Sequence, residues 1–216
     1  MKKSEVRKPF LEMVESVVIP IGFVKQKTNE GYEYIKKDIN GFVGIIPCID
    51  QYDTLFFISL AFQLRIHEVS EILVCINNIS NEFKDGYPTL SFGLNSLVEI
   101  EDNRIKADTP EELADALKFL KNVLEKEGIA FIESIKSVDE LDKEINRENR
   151  HKDLYCNEIS IRPFVGLTSA VLNKNPQSKY WENYYREKLK NANQHIKNQY
   201  EKLVEYLKNN YPGSLT

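Results

Sequence analysis

Three histidines, three cysteines and 33 carboxylates are the side chains through which this sequence could do acid–base, nucleophilic or metal chemistry. His67, His151 and His195 each stand alone, with no second His or Cys at the spacing a helix face or a zinc loop requires. The nearest cluster is His151, Asp153, Cys156 and Glu158, whose types would suit a metal ion or a Cys–His nucleophilic pair. A hydrated connector explains it better, because neither a helix N-terminus nor a fixed cation flanks Cys156 to stabilise a thiolate. The nine glycines form no GxGxxG or GxxxxGKS/T loop, and GxSxG is missing. These gaps remove the usual nucleotide loops and the serine-hydrolase elbow. Gly166-Leu-Thr-Ser169 is small and polar but has no base beside it. The carboxylate pairs Glu111/Glu112 and Asp139/Glu140 fall in first turns of helices, where the helix dipole accounts for them. The expectation is therefore no cofactor, no metal site and no recognisable catalytic set. A hydrolase built from Asp, Glu and His around residues 151–158 is the enzymatic alternative.

Aromatic residues carry a different signal. Tyr180, Trp181, Tyr184 and Tyr185 fall within six residues and are followed by Arg186, Lys188 and Lys190. A single-strand nucleic-acid binder would use such a mixture for stacking and phosphate contact. The same aromatics lie at core spacing, yet four of them exceed what one helix face needs. Some are expected to face a partner chain or a groove, since Tyr and Trp anchor interfaces. Tyr52 and Asp53, at a hairpin turn, form a second candidate recognition tip, with a plain turn as the simpler account.

The elements that position these residues can be read from periodicity. Val14, Val17 and Val18 follow Phe10 and Leu11 in a helix over 4–18, ended by Pro20 and Gly22. Tyr32, Tyr34 and Ile35 mark a strand, Asn40-Gly41 a type I′ turn, and 42–49 the return strand, with Pro47 placing that strand at an edge or a bulge. From Thr54 to Ile66 the alternation is almost unbroken: Phe56, Ile58, Leu60, Phe62, Leu64 and Ile66 share one face, which must be buried. The opposite face starts apolar and turns polar, so cover at one end only is expected. A helix over 67–78 and two short strands within 89–106 follow. Thr109, Pro110 and Glu112 form a capping box, with Gly128 as the stop. Ser137 and Glu140 cap a helix through Asn146, and Asn175-Pro176 opens a long helix to about Asn209. The pattern predicts an α+β fold: an antiparallel meander with helices on one face and a helical C-terminal third ending in one long helix. The charged connector after Asn146 suggests an α+β sheet domain over 1–147 and a helical extension over 148–216.

The chain has 216 residues, 42% hydrophobic and 29% charged, with a formal charge of −4. Mild acidity supplies no long-range attraction to nucleic acid or anionic lipid. Three unpaired-looking cysteines without CxxC fit reduced thiols. The longest apolar run, 17–24, is far too short to span a bilayer. A cytoplasmic protein with no nucleic-acid or membrane partner is expected.

Gly22-Phe23-Val24-Lys25, then Tyr32 and Tyr34, then Phe56-Phe57-Ile58-Ser59-Leu60-Ala61-Phe62 resemble an uncharacterised bacterial family of small cytosolic α+β domains. That family has a Gly-Phe-basic entry and a strand of the form Phe-x-Val-Asn-Leu-Gly-Val. Phe131-Ile132-Glu133-Ser134 and the helix at Val138 to Leu141 resemble its later segment, so the likeness spans roughly 5–147. Ser59 and Ala61 depart from the Asn and Gly of the pattern, and no role of that asparagine carries over. The family has no assigned activity. Its members resemble small acidic proteins encoded near bacterial toxins, which implies a protein-neutralising role. The combined expectation is a non-enzymatic module that binds another protein, of immunity or regulatory type, with self-association into a homodimer as the other option.

Overall fold

A computed structural model describes residues 1–29, 31–80, 84–100, 102–147 and 161–216. The fold is α+β. Two compact units interleave along the chain, one made of residues 1–64 and 91–134, the other of 65–90 and 135–216.

The first unit is built on an antiparallel meander. Strands β1 (Val24–Lys27), β2 (Tyr32–Lys37), β3 (Gly41–Tyr52) and β4 (Leu55–Ile66) lie in chain order; β5 (Leu90–Gly93) follows β4, and β6 (Ile105–Lys106) also pairs with β4. Phe56, Ile58, Leu60, Phe62, Leu64 and Ile66 are all buried, as the alternation requires. Helix α1 (Lys3–Val18) buries Val6, Phe10, Val14 and Val18, a strict four-residue stripe.

Three local expectations change. The hairpin after β2 turns at Ile39 and Asn40, neither of which has positive φ, so it is not type I′. The Asp38 carboxylate instead accepts the N–H groups of Asn40 and Gly41 and closes the turn. Strand β3 is internal rather than at an edge. Pro47 is tolerated because the β2–β3 ladder runs only from Lys37–Phe42 to Tyr34–Ile45, short of the proline. On the second face of β4 it is the apolar end, Leu55, that is exposed, while Arg65 at the polar end is 1% exposed.

Helix α3 (Pro110–Val123) starts at the predicted capping box of Thr109 and Glu112. Gly128 does not stop it. The helix loosens into a π turn at Leu124–Gly128 and continues as α4 (Ile129–Ser134). A Cβ at Gly128 would lie 2.5 Å from the Phe62 ring, so this glycine makes room for the core. Phe62 stacks on Phe92, which meets Phe131 edge-on.

The second unit is helical: α2 (His67–Ile76), α5 (Val138–Ile145), α6 (Ile161–Leu172), α7 (Ser178–Lys188) and α8 (Gln194–Asn210). Helix α6 is the hub and packs on each of the other four. It buries Phe164, Val165, Leu167, Ala170 and Val171. The chain ends in a long helix, as expected, but the span predicted for it is two helices. The break falls at residues 189–193, where Asn193 turns outward as N-cap and accepts the Ile196 amide at 3.0 Å. Among the described residues, no helix is long and apolar enough to cross a membrane.

Candidate docking face on helix α7

The predicted cluster Tyr180, Trp181, Tyr184 and Tyr185 divides into two pairs. Helical spacing puts Trp181 and Tyr185 on one side and Tyr180 and Tyr184 about a third of a turn away. Trp181 and Tyr185 are 2% and 1% exposed, respectively, whereas Tyr180 is 45% exposed and Tyr184 half-buried. The outer rings stack at 6.1 Å between centroids, with an interplanar angle of 25°. Lys188 places its ammonium 5.4 Å from the Tyr184 ring, extending the row to a third residue four positions on.

The inner side of α7 is held by two polar anchors. Glu182 is buried and receives Lys179 at 3.0 Å and Arg186 at 2.9 Å, with Lys208 of α8 at 3.5 Å. Burial alone would raise its carboxyl, but these cations outweigh it and hold the group below its ordinary value. The Glu182 carbonyl accepts the Tyr200 hydroxyl at 3.1 Å, and Tyr200 meets Phe164 edge-on.

The second anchor is Tyr185. Its hydroxyl donates to Asn146 Oδ1 at 2.6 Å, and a Cβ at Gly166 would lie 2.2 Å from the Tyr185 hydroxyl oxygen. Asn146 in turn donates through Nδ2 to Asp142 at 2.6 Å and to the Gly166 carbonyl at 3.0 Å. Asn173 and Asn175 donate to the other Asp142 oxygen at 2.7 and 2.9 Å. Buried Asp142, clasped by three amides, is the polar constellation that motif reading overlooked. Its one sequence signal is an acidic residue beside Leu141 on the apolar side of α5. Asn146 Oδ1 is engaged by Tyr185 and Asn175 Oδ1 by the Gln177 amide, so both amides point N–H, not oxygen, at the carboxylate.

Beside the tyrosine row, a groove of about 420 Å³ opens between α7 and α8, lined by Asn183, Arg186, Lys190, Lys197, Tyr200 and Glu201, among others. Arg186 pairs with Glu201, and Lys190 with Glu187. Lys197 makes no ion pair among the described residues.

The other candidates sit elsewhere. Tyr52 and Asp53 belong to the first compact unit. Tyr52 is 54% exposed, but its hydroxyl accepts Arg104 at 2.8 Å, and that guanidinium lies over both the Tyr52 and Phe57 rings. Asp53 has φ 55° and makes the turn. His67 accepts Arg65 Nε at 3.1 Å, and His195 is exposed. Thr168 and Ser169 are buried and donate to carbonyls of their own helix. His151, Asp153, Cys156 and Glu158 lie outside the described residues. Among the described residues, no group of three His, Cys, Asp or Glu side chains could hold a metal ion. No protein-family model matches this chain, nor does any curated protein or solved structure.

Proposed function

We propose that this protein is a non-enzymatic protein-binding module and that it docks its partner through the outer side of α7. The observation that supports this reading is the outward Tyr180–Tyr184 stack beside a Trp181–Tyr185 pair that already fills the core. The inner pair satisfies the packing need of the helix. The outer pair adds two large amphipathic rings whose stacking limits their freedom, so little entropy is lost on binding. A protein-neutralising role of immunity type is the form that the family resemblance implies, with a regulatory role as the other form of such a module.

The test is affinity capture from the native host, followed by velocity sedimentation, with the wild type and a Tyr180→Ser/Tyr184→Ser variant. One discrete partner, or a second copy of this chain, should be bound by the wild type and lost by the variant at unchanged melting temperature. Equal capture by both proteins removes α7 from the interface.

A further inference from the structure

We infer that the partner presents an acidic protein segment, seated in the α7–α8 groove with the tyrosine row beside it. This inference rests on the docking reading above and adds the chemistry of the occupant. Residues 178–210 carry seven Lys and Arg against four Glu, a net of +3, while the whole chain is −4 and the remainder therefore −7. At the groove itself Arg186, Lys190 and Lys197 face Glu187 and Glu201, a local excess of one positive charge. Lys190 and Lys197 line the groove, Arg186 stands in its wall, and Lys188 lies over Tyr184 on the adjoining surface. Lys197 supplies a cation that no carboxylate among the described residues neutralises. A carboxylate arriving between Lys190 and Lys197 gains charge-assisted hydrogen bonds at the groove, and the apolar side chains around it can lie on Tyr184 and Tyr180.

The pattern of signs selects a polypeptide over a nucleic acid. Glu187 and Glu201 alternate with the cations along the groove. A uniform row of phosphates would meet both carboxylates, whereas an acidic segment can place an occasional neutral or basic side chain opposite them.

The probe is a fluorescein-labelled Glu-rich decapeptide, titrated by anisotropy against the full chain, with a Lys-rich decapeptide and a ten-residue oligo-dT as comparisons. The Glu-rich peptide should bind about ten-fold tighter than the Lys-rich one and weaken several-fold between 50 and 500 mM salt, roughly as screening requires. A Lys190→Glu/Lys197→Glu variant, with circular dichroism showing an unchanged melt, should abolish the difference between peptides. Equal binding of the two peptides, tighter binding of oligo-dT, or indifference to the Lys substitutions overturns the inference. A captured partner lost with the tyrosine variant but retained by the Lys variant would sink the acidic occupant and leave the docking reading standing. The reverse pattern would sink the role of the tyrosines.

Discussion

Gly166→Ala tests how α7 is fixed to the rest of its unit. The added methyl carbon would stand 2.2 Å from Tyr185 Oη and 2.6 Å from Cζ. Ordinary contact needs about 3.5 Å, so the ring must retreat by roughly 1 Å. That movement stretches the 2.6 Å bond to Asn146 past hydrogen-bonding distance and loosens one of the three amides on buried Asp142. Overpacking costs about 1–3 kcal/mol and an unmade buried hydrogen bond about 1–3 kcal/mol. Replacing a helical glycine by alanine returns about 1 kcal/mol. The expected net loss is roughly 1–5 kcal/mol, read by urea denaturation as a lower midpoint at constant slope. The decisive comparison is a double-mutant cycle with Tyr185→Ala. Once the ring is gone, Gly166→Ala should become neutral or stabilising by up to about 1 kcal/mol. The same loss in both backgrounds would refute the close approach as its cause.

Further outcomes can be checked on the same protein. Trp181→Ala should destabilise by about 3–5 kcal/mol because the indole is buried, whereas Tyr180→Ser should stay within about 1 kcal/mol; equal effects in thermal melts would contradict the division of the cluster. Arg65 is buried and donates to the carbonyls of Lys84 and Tyr87 and to Glu71, so Arg65→Met should free the 84–87 segment and hasten tryptic cleavage at Lys84. Unchanged cleavage would argue against that tie. Burial raises Tyr185 and Tyr200, and burial together with the Glu15 hydrogen bond raises Tyr34. With folded values above the unfolded one of about 10, their stabilisation is complete below that pH and is lost as pH rises through the folded values. Absorbance at 295 nm should show these phenols ionising only with unfolding. Glu182 has the opposite sign: its folded value is depressed, so its contribution is present above about pH 4.3 and disappears as pH falls through the folded value. A Glu182→Gln variant should therefore lose its stability deficit in acid.

Much of the fold was legible because single patterns dominate locally. The β4 alternation fixed a buried face, and the boxes at Thr109 and Ser137 marked where α3 and α5 begin. Helix α6 escaped notice because it is apolar on nearly every side, and a hub surrounded by four helices has no periodic stripe to show. The α7–α8 break was hidden because Leu189, Ala192 and Ile196 keep the helical spacing across it; the signal lay in Asn193, a capping type within that stripe. Gly128 was misread because glycine marks both helix ends and close contacts, and only the Phe62 ring distinguishes them. Burial of Arg65 could not be read from β4, since its acceptors lie about twenty residues away. For the docking face, the sequence showed too many aromatics for one core stripe, but which pair turns outward depends on where the other helices pack.

The central claim is that the outer side of α7 is where a partner sits. Covalent footprinting of tyrosines, with and without the captured partner, measures this residue by residue. Tyr180 and Tyr184 should react readily in the free protein and become protected in the complex, while Tyr52 keeps its reactivity. A complex in which Tyr180 and Tyr184 label as fast as in the free chain would contradict the account.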